Sequence, residues 1–295
     1  MTIEGIIRKG TGGFYTVQSG GALYECSLRG RHRLRGRDFL PGDRVRVSVS
    51  GSDRPVIEDV LPRKNRLIRP PVANVSKVLA LLSLEDPPVD RVLLDRILVL
   101  CESEGIEPLI VLTKGDCERG NAEEILQKEY QATGYRFLRT SAFTGQGVEA
   151  LGAELTGQVT VLAGQSGVGK TTLMNRLIPD LSLKTGALSE KSRGGRHTTS
   201  CIELFPYRGG FVADSPGFRR LYMPELEPAQ LQFMFPEFTD LVQKCRFSPC
   251  YHDREPDCGV KDAHDGGKLS RKRYQHYLQF LEELREKTSY KMSTR

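Results

Sequence analysis

The sequence predicts a multidomain α/β protein: a small N-terminal β-barrel, a central doubly wound parallel sheet, and a C-terminal helical piece. Three observations carry that prediction. Five short β-rich runs separated by glycine turns lie within residues 1–64, strand and helix patterns then alternate around a Gly-x-x-x-x-Gly-Lys-Thr loop, and three cysteines and a histidine crowd between residues 245 and 258. The expected divisions are 1–64, 65–222 and 223–295, and 295 residues suffice for two or three domains with real cores.

The net charge of +6 is unevenly spread: residues 1–64 carry 12 Lys and Arg against 7 Asp and Glu, and residues 260–295 carry 9 against 5. A basic excess at both ends suggests a polyanion gripped from outside the central domain. Met1-Thr2-Ile3-Glu4 lacks a basic leader and an apolar core of the needed length, so no signal peptide is expected, and no apolar run approaches a membrane span. A cytoplasmic protein is expected, with its cysteines as thiols or metal ligands.

In the first 64 residues the strands run Gly5 to Ile7, Phe14 to Gln18, Ala22 to Leu28, Arg44 to Val49 and Val56 to Val60, with turns at Gly12-Gly13, Gly20-Gly21, Pro41-Gly42-Asp43 and Gly51-Ser52-Asp53. That density fits a small closed barrel of the oligonucleotide-binding kind. Arginine recurs at every second position from Arg29 to Arg37, so an extended chain sets five guanidinium groups on one face and a loop makes a basic arm. Phosphate oxygens are the natural partner in either case. Pro62 to Pro71 reads as the linker into the second domain.

Val78 to Leu84 and Pro108 to Leu112 are nearly all apolar, as strands buried in a parallel sheet are, and a helix over Val89 to Cys101 separates them. The second strand runs into Thr113-Lys114-Gly115-Asp116, where a doubly wound sheet binds ligands. This loop is similar to the Asn-Lys-x-Asp of P-loop GTPases, in which the Asp accepts from guanine N1 and N2 and the Lys stem covers the base. Thr113 replaces the Asn, and with it an amide that binds guanine N7 and braces the phosphate loop. Tyr135 to Leu138 leads to Thr140-Ser141-Ala142, similar to the loop that supports guanine O6, with Phe143 where Lys is common.

Gln158 to Ala163 is the strand before Gly164-Gln165-Ser166-Gly167-Val168-Gly169-Lys170-Thr171, and Thr172, Leu173, Met174, Leu177 and Ile178 continue it as a helix. Strand, glycine loop and helix make a phosphate cradle, with Thr172 beside it: backbone N–H groups turn toward the anion, Lys170 reaches the β and γ phosphates, and Thr171 binds Mg²⁺. Downstream lie Gly194-Gly195-Arg196-His197-Thr198-Thr199, strands Cys201 to Tyr207 and Gly210 to Ala213, and Asp214-Ser215-Pro216-Gly217. The guanine loops therefore precede the phosphate loop, the reverse of ordinary GTPases. The same sheet can be built with its chain cut elsewhere, so a circularly permuted GTPase is expected.

In this motif order, with the basic barrel before it and the cysteine-rich piece after it, the chain resembles the RsgA family of small ribosomal subunit biogenesis GTPases over nearly its full length. The resemblance implies GTP hydrolysis to GDP and phosphate, slow alone and stimulated by the small (30S) ribosomal subunit, with 16S rRNA as a partner in late subunit maturation. In that reading Thr171 and Thr198 hold Mg²⁺, Asp214 assists through water, and Thr199 is the alternative switch threonine. Gly217 gives its N–H to the γ-phosphate. Phe218 stands where many GTPases have a water-orienting Gln, and His197 takes that part by resemblance. A monomer is the simplest expectation. Two other classes remain open: a nucleotide-regulated RNA-binding module with incidental hydrolysis, and a P-loop kinase, which the guanine loops disfavour.

Cys245, Cys250, His252 and Cys258 are four ligands suited to one closed tetrahedral Zn²⁺, a structural site with no position left for water. The spacing is the one found in the RsgA family, and His264 is a competing ligand. Cys26, Cys101 and Cys201 read as small core residues. Leu269, Tyr274, Tyr277, Leu278, Leu281 and Leu284 form a helical stripe, with Arg271-Lys272-Arg273 at its start as a candidate RNA contact.

Overall fold

The computed structural model describes residues 1–28, 38–51, 53–117, 120–181, 202–214 and 221–293. Strands β1 (Thr2–Thr11), β2 (Phe14–Ser19), β3 (Ala22–Leu28), β4 (Arg44–Ser48) and β5 (Val56–Val60) close into a barrel of order β1-β2-β3-β5-β4. Alternation explains its inside: Val45 and Val47 of β4 are buried while Arg44 and Arg46 face solvent. Ile7, Val17, Cys26, Phe39 and Ile57 complete the core. Bulges in β1 between Ile7 and Lys9, and in β5 at Glu58 opposite Arg46 and Val47, supply the bend that closure needs. The Arg29 to Arg37 run lies outside the described residues.

The buried Asp43 carboxylate accepts from the Leu40 N–H at 2.7 Å and from Arg63 at 2.6 and 2.8 Å, tying the barrel to the segment after it. That segment is more than a linker. β6 (Arg66–Leu67) and β7 (Val72–Ala73) form a hairpin within it, because Leu67 and Val72 pair across the ladder and bury together in the core of the next domain.

The central sheet has the order β10-β9-β8-β11-β13-β12. Its strands are β8 (Lys77–Ser83), β9 (Glu107–Thr113), β10 (Phe137–Arg139), β11 (Val159–Gly164), β12 (Leu204–Tyr207) and β13 (Gly210–Asp214). All pair in parallel except β12, which is antiparallel to β13. Both faces are covered. Ala80, Leu82, Ile110, Leu112 and Ala163 meet α1 (Arg91–Glu104) and α2 (Ala122–Glu129), while Leu79, Leu81, Val111 and Leu162 meet α3 (Val148–Glu154) and α4 (Lys170–Leu177). α1 starts where the Asp90 carboxylate accepts from the Leu93 N–H, and stops at Gly105, whose φ of +62° suits a residue without Cβ.

The C-terminal part comprises 3₁₀ turns, α5 (Gly259–Asp265) and the long α6 (Arg271–Ser293). The stripe on α6 packs Tyr277, Leu281 and Leu284 with Phe235, Phe238 and Val99 of α1, a larger core than a metal-held knuckle needs. Arg271-Lys272-Arg273 is not a free basic cluster. Arg273 is buried between Asp95 and Glu237, and Lys272 pairs with Glu129 at 2.9 Å, because the start of α6 docks on α1 and its neighbours. Asp95 is the hub: it accepts from Tyr130 Oη at 2.7 Å, Arg273 at 2.6 Å and His276 Nδ1 at 2.6 Å. Among the described residues, no helix is long and apolar enough to cross a membrane.

Candidate functional site

The loops after β10, β9 and β11 leave the C-terminal end of the parallel strands, where such a sheet forms its ligand crevice, and β13 ends at Asp214 on the same side. The loop after β11 needs its glycines. Gly164 has φ +151° and a Cβ there would lie 2.4 Å from the Leu81 carbonyl oxygen, while Gly167 and Gly169 sit at +87° and +91°. Val168 is buried and anchors the loop from beneath, Ser166, Gly167 and Thr172 face solvent, and α4 starts at Lys170. Lys170 Nζ spans the loop, donating to the carbonyls of Gly164 at 2.9 Å and Gln165 at 2.6 Å. Thr171 Oγ1 donates to Asp214 Oδ2 at 3.1 Å, so a hydroxyl and a carboxylate, the hard oxygen donors Mg²⁺ prefers, meet at the ends of β11 and β13.

The loop after β9 is tied to this one. Thr113 Oγ1 lies 2.6 Å from the Val168 carbonyl oxygen and 2.9 Å from that of Leu82, and its single proton favours the shorter. The brace that loss of Asn was expected to remove is therefore present, made by a hydroxyl. Lys114 Nζ donates to the Asp86 carbonyl at 2.6 Å. Ser141 Oγ donates to Asp116 Oδ1 and accepts from the Thr144 N–H at 3.1 Å, and the Ser141 N–H donates to Gln146 at 2.9 Å. The Ser141 hydrogen bond holds the Asp116 carboxyl below the usual carboxylate range. Ala142 packs partly buried against the core beneath, and Phe143 is exposed.

Sequence reasoning missed two residues here. Arg139 donates to the Gly115 carbonyl and to Glu123 Oε2, joining the loops after β9 and β10, and leaves no space for a Cβ on Gly115. Cys117 is exposed, with Sγ 3.5 Å from Asp116 Oδ2, and its place directly after Asp116 was the available signal. His197, Thr198, Thr199, Cys201, Gly217 and Phe218 lie outside the described residues.

In the C-terminal part, Cys245, Cys250, His252 and Cys258 bring their ligand atoms within 4.8 Å of one another. Sulfurs about 2.3 Å from one tetrahedral centre lie about 3.8 Å apart, and a sulfur and a nitrogen about 3.6 Å. The Cys258 sulfur is 3.9 Å from that of Cys245 and 3.8 Å from that of Cys250, and His252 Nδ1 is 3.5 Å from Cys245 and 3.3 Å from Cys258. The group fits a tetrahedral metal. Burial pushes the Cys250 thiol up to about 12 and raises Cys258, so without a cation both stay protonated at neutral pH; a divalent ion reverses that. Burial also lowers His252, keeping the imidazole neutral, and its Nε2 faces Gln232 Oε1 at 3.0 Å, which sets Nδ1 toward the cysteines. Tyr274 Oη donates to the His252 carbonyl at 2.7 Å. His264 is not part of the group: it pairs with Asp265 and packs at a tilt against the Tyr274 ring, with centroids 4.4 Å apart.

A Gly-x-x-x-x-Gly-Lys-Thr loop in mid-sheet, reached in the chain only after the loops that follow β9 and β10, defines a circularly permuted P-loop GTPase fold. Residues 60–224 match the model of the RsgA GTPase family and residues 4–57 that of the RsgA N-terminal domain, and the chain belongs to the RsgA family. It is 45% identical over 283 residues to the small ribosomal subunit biogenesis GTPase RsgA of Moorella thermoacetica, covering 96% of this chain and 97% of that protein. The RsgA of Geobacillus thermodenitrificans is 42% identical, with 96% and 98% covered. Among solved structures, YjeQ from Thermotoga maritima superposes with a TM-score of 0.84 at 35% identity, over 96% of this chain and 99% of that one. YloQ, described as a circularly permuted GTPase, gives 0.80 at 32%, over 97% and 96%.

Proposed function

We propose that this protein is a GTPase of small ribosomal subunit biogenesis: it binds the small subunit and its 16S rRNA, hydrolyses GTP slowly alone and faster on the subunit, and acts in late maturation. The observation that carries this is the joining of the Asp116–Ser141 base site to the phosphate loop through Thr113, in a chain 45% identical to a protein with that name. Asp116 and Lys114 take the guanine base, with Ser141 and Ala142 beside its O6. The amides of Gln165, Ser166, Gly167, Val168 and Gly169 turn toward the phosphates, Gly164 and Thr172 flank them, and Lys170 leaves the loop carbonyls for the β and γ oxygens.

Thr171 and Thr198 would hold Mg²⁺, with Asp214 behind them, and the ion there would neutralise charge on the phosphates. Gly217 donates to the γ-phosphate and His197 orients the water, since Phe218 has no group that does. Phosphoryl transfer depends on positioning, so slow turnover without the subunit follows. His197→Ala is expected to abolish stimulated hydrolysis and spare GTP binding; unchanged stimulation would remove His197 from the mechanism.

Cys245, Cys250, His252 and Cys258 hold one structural Zn²⁺, which supplies folding energy to the segment around it. The divisions 1–64, 65–222 and 223–295, a cytoplasmic location and a monomeric state belong to the same proposal. Sedimentation with purified small subunits tests it: the GTP-bound protein is expected to travel with them, and a protein that stays at the top of the gradient with every nucleotide would contradict it.

A further inference from the structure

The hairpin between the barrel and the central sheet is braced on both sides. The Asn65 side chain donates to the Val75 carbonyl and accepts from its N–H, both at 2.9 Å, while Asn74 accepts from the Lys64 N–H and donates to the Gly42 carbonyl of the barrel, both also at 2.9 Å. Successive residues of an extended chain point to opposite sides, so burying Leu67 and tethering Asn65 turns Lys64, Arg66 and Ile68 outward. Arg69 follows at the tip.

Lys64, Arg66 and Arg69 are exposed, and among the described residues none of their side chains forms an ion pair. The nearby Glu104 carboxylate meets the Arg66 backbone N–H rather than its guanidinium. The Arg69 guanidinium lies over the Tyr222 ring, 5.6 Å from its centroid, and Ile68 and Tyr222 remain 62% and 58% exposed. Unpaired cations beside an exposed aromatic, on a fixed backbone, are the chemistry of a surface for phosphates with flat bases between them. An apolar partner would leave three charges to be desolvated without compensation.

We propose that Lys64, Arg66, Ile68, Arg69 and Tyr222 form a contact surface for a single-stranded segment of ribosomal RNA, its phosphates on the three cations and a base on Tyr222. The inference rests on the small subunit being the partner. Its test is the dissociation constant for purified small subunits across a salt series, for the full chain and two variants. Each phosphate contact on a single strand contributes about 0.7 to the slope of log affinity against log salt, so Lys64→Gln with Arg66→Gln and Arg69→Gln lowers the slope by about 2. The same triple variant is expected to bind at least tenfold more weakly at moderate salt. Tyr222→Leu weakens binding severalfold with the slope unchanged, and both variants keep native GTP affinity.

A benzoylphenylalanine in place of Ile68 is expected to cross-link to rRNA. Equal affinity and slope in the triple variant would overturn this surface while leaving the ribosomal reading intact, as would cross-links to ribosomal protein alone. Absence of subunit binding by the unchanged protein would sink the ribosomal reading and this surface with it.

Discussion

The Thr113 hydroxyl at the end of β9 lies 2.6 Å from the carbonyl oxygen of Val168 within the phosphate loop. One hydrogen bond thus connects the loop proposed to meet the base to the loop proposed to meet the phosphates, across the intervening strand β8. Thr113→Val keeps the shape and removes the donor. A net loss of about 0.5–1.5 kcal/mol corresponds to roughly 2- to 10-fold weaker GTP and GDP binding. The preference for guanine over adenine should stay, because Asp116 is untouched. Titration with fluorescent nucleotides checks both, and unchanged affinity would show that the contact does not support binding.

Ser141 offers a pH test. Its hydroxyl holds Asp116 below the usual carboxylate range, and the base recognition proposed for Asp116 requires the carboxylate form. The native protein therefore keeps GTP affinity as the pH falls toward the depressed value and loses it below. In Ser141→Ala the Asp116 value rises, so the acid limb of GTP binding moves to higher pH while affinity above neutrality changes less. Identical acid limbs would argue that other groups set the carboxylate.

The phosphate loop was legible in the sequence because its requirements are local: Gly164, Gly167 and Gly169 need backbone freedom, and a strand and a helix must flank them. The sheet was legible from its apolar runs, all seven residues of β8 being buried. The Thr113 brace was not, because it depends on which strands neighbour one another and in what register. Arg273 misled for a related reason: an arginine directly after two basic residues reads as surface, and only the docking of α6 on α1 shows it buried between Asp95 and Glu237. The linker hairpin escaped notice because its strands are two residues each, too short for any periodicity.

Asp95 is the place to test how α6 is held. Burial raises its carboxyl, but the Arg273 charge and the hydrogen bonds from His276, Tyr130 and Arg273 outweigh that and leave it lowered. A lowered carboxylate stabilises the fold above its unfolded value of about 3.9, and that contribution is lost as pH falls through the folded value. Asp95→Asn leaves Arg273 with one partner and should cost about 3 kcal/mol at pH 7. Urea unfolding should show the gap between native and variant narrowing below about pH 4.

The cysteine group predicts one equivalent of zinc per chain. Cys258→Ser should release it, and a strong chelator should lower the melting temperature of the native protein while leaving the variant unaffected, because metal binding and folding are one equilibrium for such segments. A chelator with no effect on the native melting temperature would contradict a structural metal.

The most direct measurement is phosphate release from GTP and from ATP, each with and without purified small ribosomal subunits, at low and moderate salt. A ribosome-dependent GTPase predicts slow release from GTP alone, a large stimulation by subunits confined to GTP, and weakening of that stimulation as salt rises. Equal, unstimulated release from both nucleotides would contradict the account, leaving a phosphate loop without the guanine site or the ribosomal partner proposed for it.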